Sequence, residues 1–132
     1  MWLITVLVLH WSLCSSGLSE FTGTTVSKED TGSSVEITCG EVLQIELQGT
    51  PSTGFWWHFV LLDTAYLELI TEETRDISPI KIEGGPVLGI WKLRAKKVGA
   101  TRLEMAYYRP WEGIHGARDR YSLTVEISPA SK

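Results

Sequence analysis

The chain has 132 residues, of which 43% are hydrophobic and 21% charged, with a formal net charge of -4. That is the size of one domain with a core of its own, and the balance excludes both wholesale disorder and the basic footprint of a nucleic-acid binder. Asparagine is absent, so the chain has no N-glycosylation acceptor.

Residues 1–19 read as a secretory signal peptide. Trp2 to Leu13 is an apolar run broken only by Thr5, His10 and Ser12, and the small residues Ser15, Ser16 and Gly17 follow it. Cleavage is expected near Gly17 or Ser19. The run is shorter than the roughly 20 apolar residues of a membrane span, and no later segment is long enough to be one. The expected destination is the secretory pathway, ending outside the cell or in a lysosome-like compartment, with no membrane attachment once the leader is removed. Cys14 leaves with the leader. Cys39 shares the apolar parity of Val35 and Ile37 and reads as a buried, inert thiol without an internal disulfide partner.

Residues 20–34, rich in Thr, Ser, Gly and charge, read as an extended N-terminal arm. From there, short alternating runs are separated by turn residues. Val35–Cys39 and Leu43–Gln48 alternate apolar and polar residues. Phe55–Leu62 is aromatic and apolar, and Tyr66–Ile70 is short and mixed. Ile90–Lys97 sets Trp91, Leu93 and Ala95 against Lys92, Arg94 and Lys96. Arg102–Tyr108 and Tyr121–Ile127 repeat the pattern. Period two is the mark of half-buried strands. No segment sustains a helical period, although Leu61, Ala65 and Leu69 share one spacing of four. The expectation is an all-β, antiparallel sandwich of about seven to eight strands over residues 35–128, with a tail at 129–132.

Few groups with catalytic chemistry remain after the leader. His58 sits in a strand beside Trp57, and His115 sits in a loop. Neither is placed to activate Cys39, and no residues have metal-ligand spacing. The chain is therefore not read as an enzyme, and no cofactor or metal is expected. In a sandwich, alternate connections emerge at one end. Three candidates are Gly49–Gly54, the stretch Glu83–Gly89 before Trp91, and Arg109–Gly116. The first is a Pro-to-Gly turn, the second small-residue rich, and the third carries a Trp after a Pro.

Taken together, Thr50-Pro51-Ser52-Thr53-Gly54-Phe55-Trp56, the Gly-rich stretch around Gly84-Gly85, and Tyr108-Arg109-Pro110-Trp111-Glu112 resemble the chagasin family of cysteine-peptidase inhibitors. The family patterns are Asn-Pro-Thr-Thr-Gly, Gly-x-Gly-Gly and Arg-Pro-Trp, and the resemblance runs from about Val35 to Ile127. It implies an immunoglobulin-like sandwich whose three loops enter the cleft of papain-family, cathepsin-like peptidases. Binding would be reversible and competitive, by a monomer. It implies that Pro51, Ser52, Thr53 and Gly54, flanked by Thr50 and Phe55, form a central wedge. Gly84 and Gly85 would lie on one side, and Arg109, Pro110 and Trp111 on the other. Thr50 stands where the family has Asn, and neither register of the middle loop matches Gly-x-Gly-Gly. The alternative is a secreted carbohydrate-binding or adhesion module stacking sugars on Trp56, Trp57 and Trp111. Trp56 and Trp57 have opposite parity, so at most one of them faces out of the core.

Overall fold

The computed structural model describes residues 23–80 and 83–130. Among these residues it has eight strands: β1 (Gly23–Ser27), β2 (Ser33–Thr38), β3 (Val42–Gly49), β4 (Trp56–Leu61), β5 (Leu67–Asp76), β6 (Val87–Ala95), β7 (Gly99–Tyr108) and β8 (Asp119–Ser128). They form two four-stranded sheets, ordered β1-β3-β6-β5 and β2-β8-β7-β4. Pairing is antiparallel except at one edge of each sheet, where β1 runs parallel to β3 and β2 parallel to β8.

Alternation decides which face each strand buries. In β3, Leu43, Ile45 and Leu47 are buried while Gln44, Glu46 and Gln48 face away. Trp91, Leu93 and Ala95 of β6 meet them from the same sheet, while Leu103 and Met105 of β7 and Tyr121, Leu123, Val125 and Ile127 of β8 close the core from the other. Each large apolar side chain so buried contributes about 1.5–3 kcal/mol relative to exposure. The Tyr121 hydroxyl is also buried, without a hydrogen-bond partner among the described residues. Burial, with the charge of Asp30 adding to it, pushes its pKa well above the usual phenol value.

Three elements differ from the sequence reading. Gly23–Ser27, within the expected arm, pairs along β3 and buries Val26. Strand β5 runs on to Asp76 rather than stopping at Ile70, because an edge strand has polar residues on both faces and a bulge between Leu69 and Thr71 breaks its period. Val87, Leu88 and Gly89 belong to β6 rather than to a loop. Gly89 is a packing residue: a Cβ there would lie 2.5 Å from Cη2 of Trp91 and 2.9 Å from Cζ2 of Trp56. Cys39 is buried as expected, but it is disulfide-bonded and not a free thiol. The leader expected at residues 1–19 also lies outside them.

Candidate functional site

The loops β3–β4, β5–β6 and β7–β8 leave the sandwich at one end, and they touch one another. The first is the centre. Pro51 opens a 3-10 turn through Thr53, where its fixed φ suits the first turn position and its missing N–H costs nothing. Gly54 closes the turn with φ +88°, a left-handed conformation that side chains disfavour. Thr53 and Gly54 donate their backbone N–H groups to the carbonyls of Thr50 and Pro51, at 3.0 and 2.8 Å. The Thr53 hydroxyl donates to the Thr50 carbonyl at 2.6 Å. Thr50, standing where the family has Asn, makes no side-chain capping bond. Its backbone N–H instead donates to the Tyr107 hydroxyl at 2.9 Å, which ties the turn to β7.

The middle loop leans on this turn. The Ser52 hydroxyl donates to the carbonyl of Gly84 at 2.7 Å, and Gly84 itself has φ +75°. Gly85 and Pro86 lead from there into β6.

The third loop clasps the turn from the other side. Arg109 donates from Nε to the Thr53 carbonyl at 2.9 Å and from Nη1 to Glu112 Oε2 at 3.1 Å. Its guanidinium also lies 4.4 Å above the Phe55 ring centroid and 5.9 Å from the Trp111 ring. The N–H groups of Glu112 and Gly113 both return to the Arg109 carbonyl, and this tight turn projects Pro110 and Trp111. Trp111 is 71% exposed, yet the far edge of its indole rests over Gly54: a Cβ on Gly54 would lie 2.3 Å from Cη2.

The structure therefore brings Thr50, Pro51, Ser52, Thr53, Gly54, Gly84, Gly85, Arg109, Pro110 and Trp111 into one contiguous surface. Phe55 is placed differently. It is only 3% exposed, stacked on Tyr107 at 5.5 Å and covered by Arg109 and Arg118. It supports the turn from below and is not part of its exposed face. Sequence reasoning missed Tyr107 and Arg118, and it named Glu112 only as the end of a motif, without its bond to Arg109. Tyr107 carried a signal, since it continues the inward parity of Leu103 and Met105, but nothing marked its hydroxyl as the anchor of a distant turn.

Other candidate chemistry falls away. His58 packs on Tyr108 at 4.8 Å, on a strand remote from Cys39 in sequence and sheet position. Among the described residues no cluster of His, Cys, Asp or Glu could hold a metal ion. Of the three aromatics considered for sugar stacking, Trp57 is buried and donates its Nε1–H to the Gln48 carbonyl at 2.9 Å. Trp56 is half-buried against Trp91, with ring centroids 5.8 Å apart. Only Trp111 turns its ring to solvent.

Fold and pole together define a class: a rigid two-sheet body carrying one composite, loop-built binding surface. Residues 36–125 match the family model of the chagasin family of peptidase inhibitors, I42. The chain belongs to that family, whose members are inhibitors of peptidases and not enzymes. It is 26% identical to chagasin of Trypanosoma cruzi over 106 residues, covering 78% of this chain and 96% of chagasin. It is 32% identical to amoebiasin-2 of Entamoeba histolytica over 101 residues, covering 76% and 79% of the two chains. Among solved structures, the cysteine protease inhibitor EhICP2 from Entamoeba histolytica superposes with a TM-score of 0.66 at 25% identity, covering 79% of this chain and 93% of that one.

Proposed function

We propose that this chain is a reversible, competitive inhibitor of papain-type cysteine peptidases, in which the Thr50–Gly54 turn enters the active-site cleft while Trp111 and the Gly84–Gly85 stretch hold its two sides. The observation that carries the reading is the mutual bonding of the three loops in the unbound molecule. Ser52 reaches Gly84, Arg109 reaches Thr53, and Trp111 lies on Gly54. A surface already in one arrangement has little side-chain and loop entropy left to lose on binding, and such preorganisation sets affinity more than area does.

The same bonds account for inhibition without turnover. The hydroxyls of Ser52 and Thr53, the two at the tip of the turn, both donate to carbonyls within the protein. The Thr53 carbonyl accepts from Arg109 and is held in a helical turn. Attack on a peptide carbonyl needs the reacting atoms about 3–3.5 Å apart and aligned. A carbonyl fixed by its own molecule does not swing into that alignment. The turn then occupies the cleft as a plug, with no scissile bond presented. Protease–inhibitor interfaces bury roughly 1,600 Å² in total, an area to which all three loops would contribute.

The leader read in residues 1–19 supports export, and cleavage there would remove Cys14, the chain's other cysteine, and leave Cys39 as a buried free thiol. On that reading the mature protein acts as a monomer, outside the cell or in a lysosome-like compartment where papain-type peptidases work. The test is a titration of the purified protein against papain and a cathepsin at several substrate concentrations. The apparent inhibition constant should rise linearly with substrate, and activity should return on dilution. A folded sample that leaves both enzymes fully active rejects the proposal.

A further inference from the structure

Arg118 closes the third loop, and the inhibitory reading gives it no task. Its backbone N–H donates to the Tyr107 carbonyl at 2.9 Å, which fixes where its side chain starts. Its guanidinium lies 4.4 Å above the ring of Phe55, the residue that follows the central turn. A cation over an aromatic face is held in place there while its N–H edge stays available.

The acids of the loop and its exit are already engaged. Glu112 pairs with Arg109 at 3.1 Å, Asp119 at the start of β8 pairs with Lys28 at 3.2 Å, and no carboxylate of the described residues forms an ion pair with Arg118. Of the neighbouring cations, Arg109 and Lys28 are those paired in these bridges, whereas Arg118 has no such partner. The binding pole thus carries, beside the loop of Arg109 and Trp111, an exposed and positioned guanidinium with no ion-pair partner among the described residues.

We propose that Arg118 is a selectivity residue that captures a carboxylate on the rim of the target peptidase's cleft, beside the site where Trp111 docks. This rests on the proposed inhibition and adds the chemistry of the preferred target: peptidases with an acidic rim on that side are bound faster than those with a neutral or basic one. Charges at an interface rim act mainly on association rate and partner choice, and salt screens them, with a Debye length of about 10 Å at 0.1 M.

The test measures association and dissociation rates from inhibition progress curves at low and high salt. It uses the wild type, Arg118→Lys, Arg118→Gln and Arg118→Glu, against a panel of papain-type peptidases differing in rim charge. Arg118→Glu should associate about tenfold more slowly with acidic-rim enzymes at low salt, with the gap closing at high salt and dissociation nearly unchanged. Arg118→Gln should fall between, and Arg118→Lys should stay near wild type. Unchanged association of Arg118→Glu with every enzyme overturns the proposal. So does an equal, salt-independent slowing of all three variants, which would mark Arg118 as a prop for Phe55. A wild-type protein that inhibits no member of the panel rejects the inhibitory reading itself; one that inhibits while Arg118→Glu matches it rejects only the role of Arg118.

Discussion

Replacing Gly54 with alanine tests the geometry of the pole most directly, because two effects of different kind are expected from one methyl group. Gly54 has φ +88°, and a side chain in a left-handed conformation costs about 1–2 kcal/mol. A domain of this size loses roughly 4 °C or more in melting temperature per kcal/mol. The second effect is contact. The new Cβ would lie 2.3 Å from Cη2 and 2.8 Å from Cζ2 of Trp111. Carbon atoms settle at about 3.5–4.0 Å, so the indole has to retreat by more than about 1 Å. A displaced aromatic anchor costs on the order of 2 kcal/mol of binding, which is roughly 30-fold in the inhibition constant. Inhibition is measured well below the melting transition, so the two effects separate. The decisive arm is the double variant. With Trp111→Ala alone, inhibition should weaken by a similar factor. With both changes, the methyl meets empty space, and the constant should match that of Trp111→Ala. If Gly54→Ala weakens inhibition equally in both backgrounds, the indole does not rest on Gly54 and the clasp described above is wrong.

Three further substitutions probe the other bonds. Tyr107→Phe removes the acceptor of the Thr50 N–H and should cost about 1 kcal/mol of stability, with faster amide exchange at Thr50; unchanged exchange would deny the anchor. Arg109→Lys keeps the charge but not the fork that reaches Thr53 and Glu112 together, and should weaken inhibition about tenfold, or roughly 1.4 kcal/mol, with wild-type inhibition counting against it. Ser52→Ala frees the Gly84 carbonyl, so backbone order measured by NMR relaxation should fall in the middle loop and hold in the other two.

The sandwich was legible wherever one face of a strand is buried and the other wet. Leu43, Ile45 and Leu47 announce β3, and Tyr121, Leu123, Val125 and Ile127 announce β8. Legibility failed at the sheet edges. In β1 only Val26 is buried, and Thr71 to Asp76 carry no apolar residue at all, so periodicity has nothing to act on. The parallel pairing of β1 and β2 is set by which neighbours remain unpaired, a property of the whole sheet. The motifs singled out the residues of the three loops, but the bonds among them left no mark in the sequence. Ser52 with Gly84, and Arg109 with Thr53, are 32 and 56 residues apart, and local spacing carries no trace of such pairs. Gly89 shows the opposite error: grouped with a flexible loop for its lack of a side chain, it lacks one because two indoles fill the place.

Strand β5 carries a consequence for the molecule's company. It ends its sheet with its outer backbone groups unpaired, and ten residues of bare edge invite another chain to add a strand. Leu69 and Ile70 are exposed along it. The irregularity between Leu69 and Thr71 interrupts the ladder a newcomer would have to follow, and Glu68, Glu72, Glu73 and Asp76 would face their own kind in a second copy paired parallel and in register. Such an edge resists fibre-like stacking and favours a chain that stays apart from its own copies.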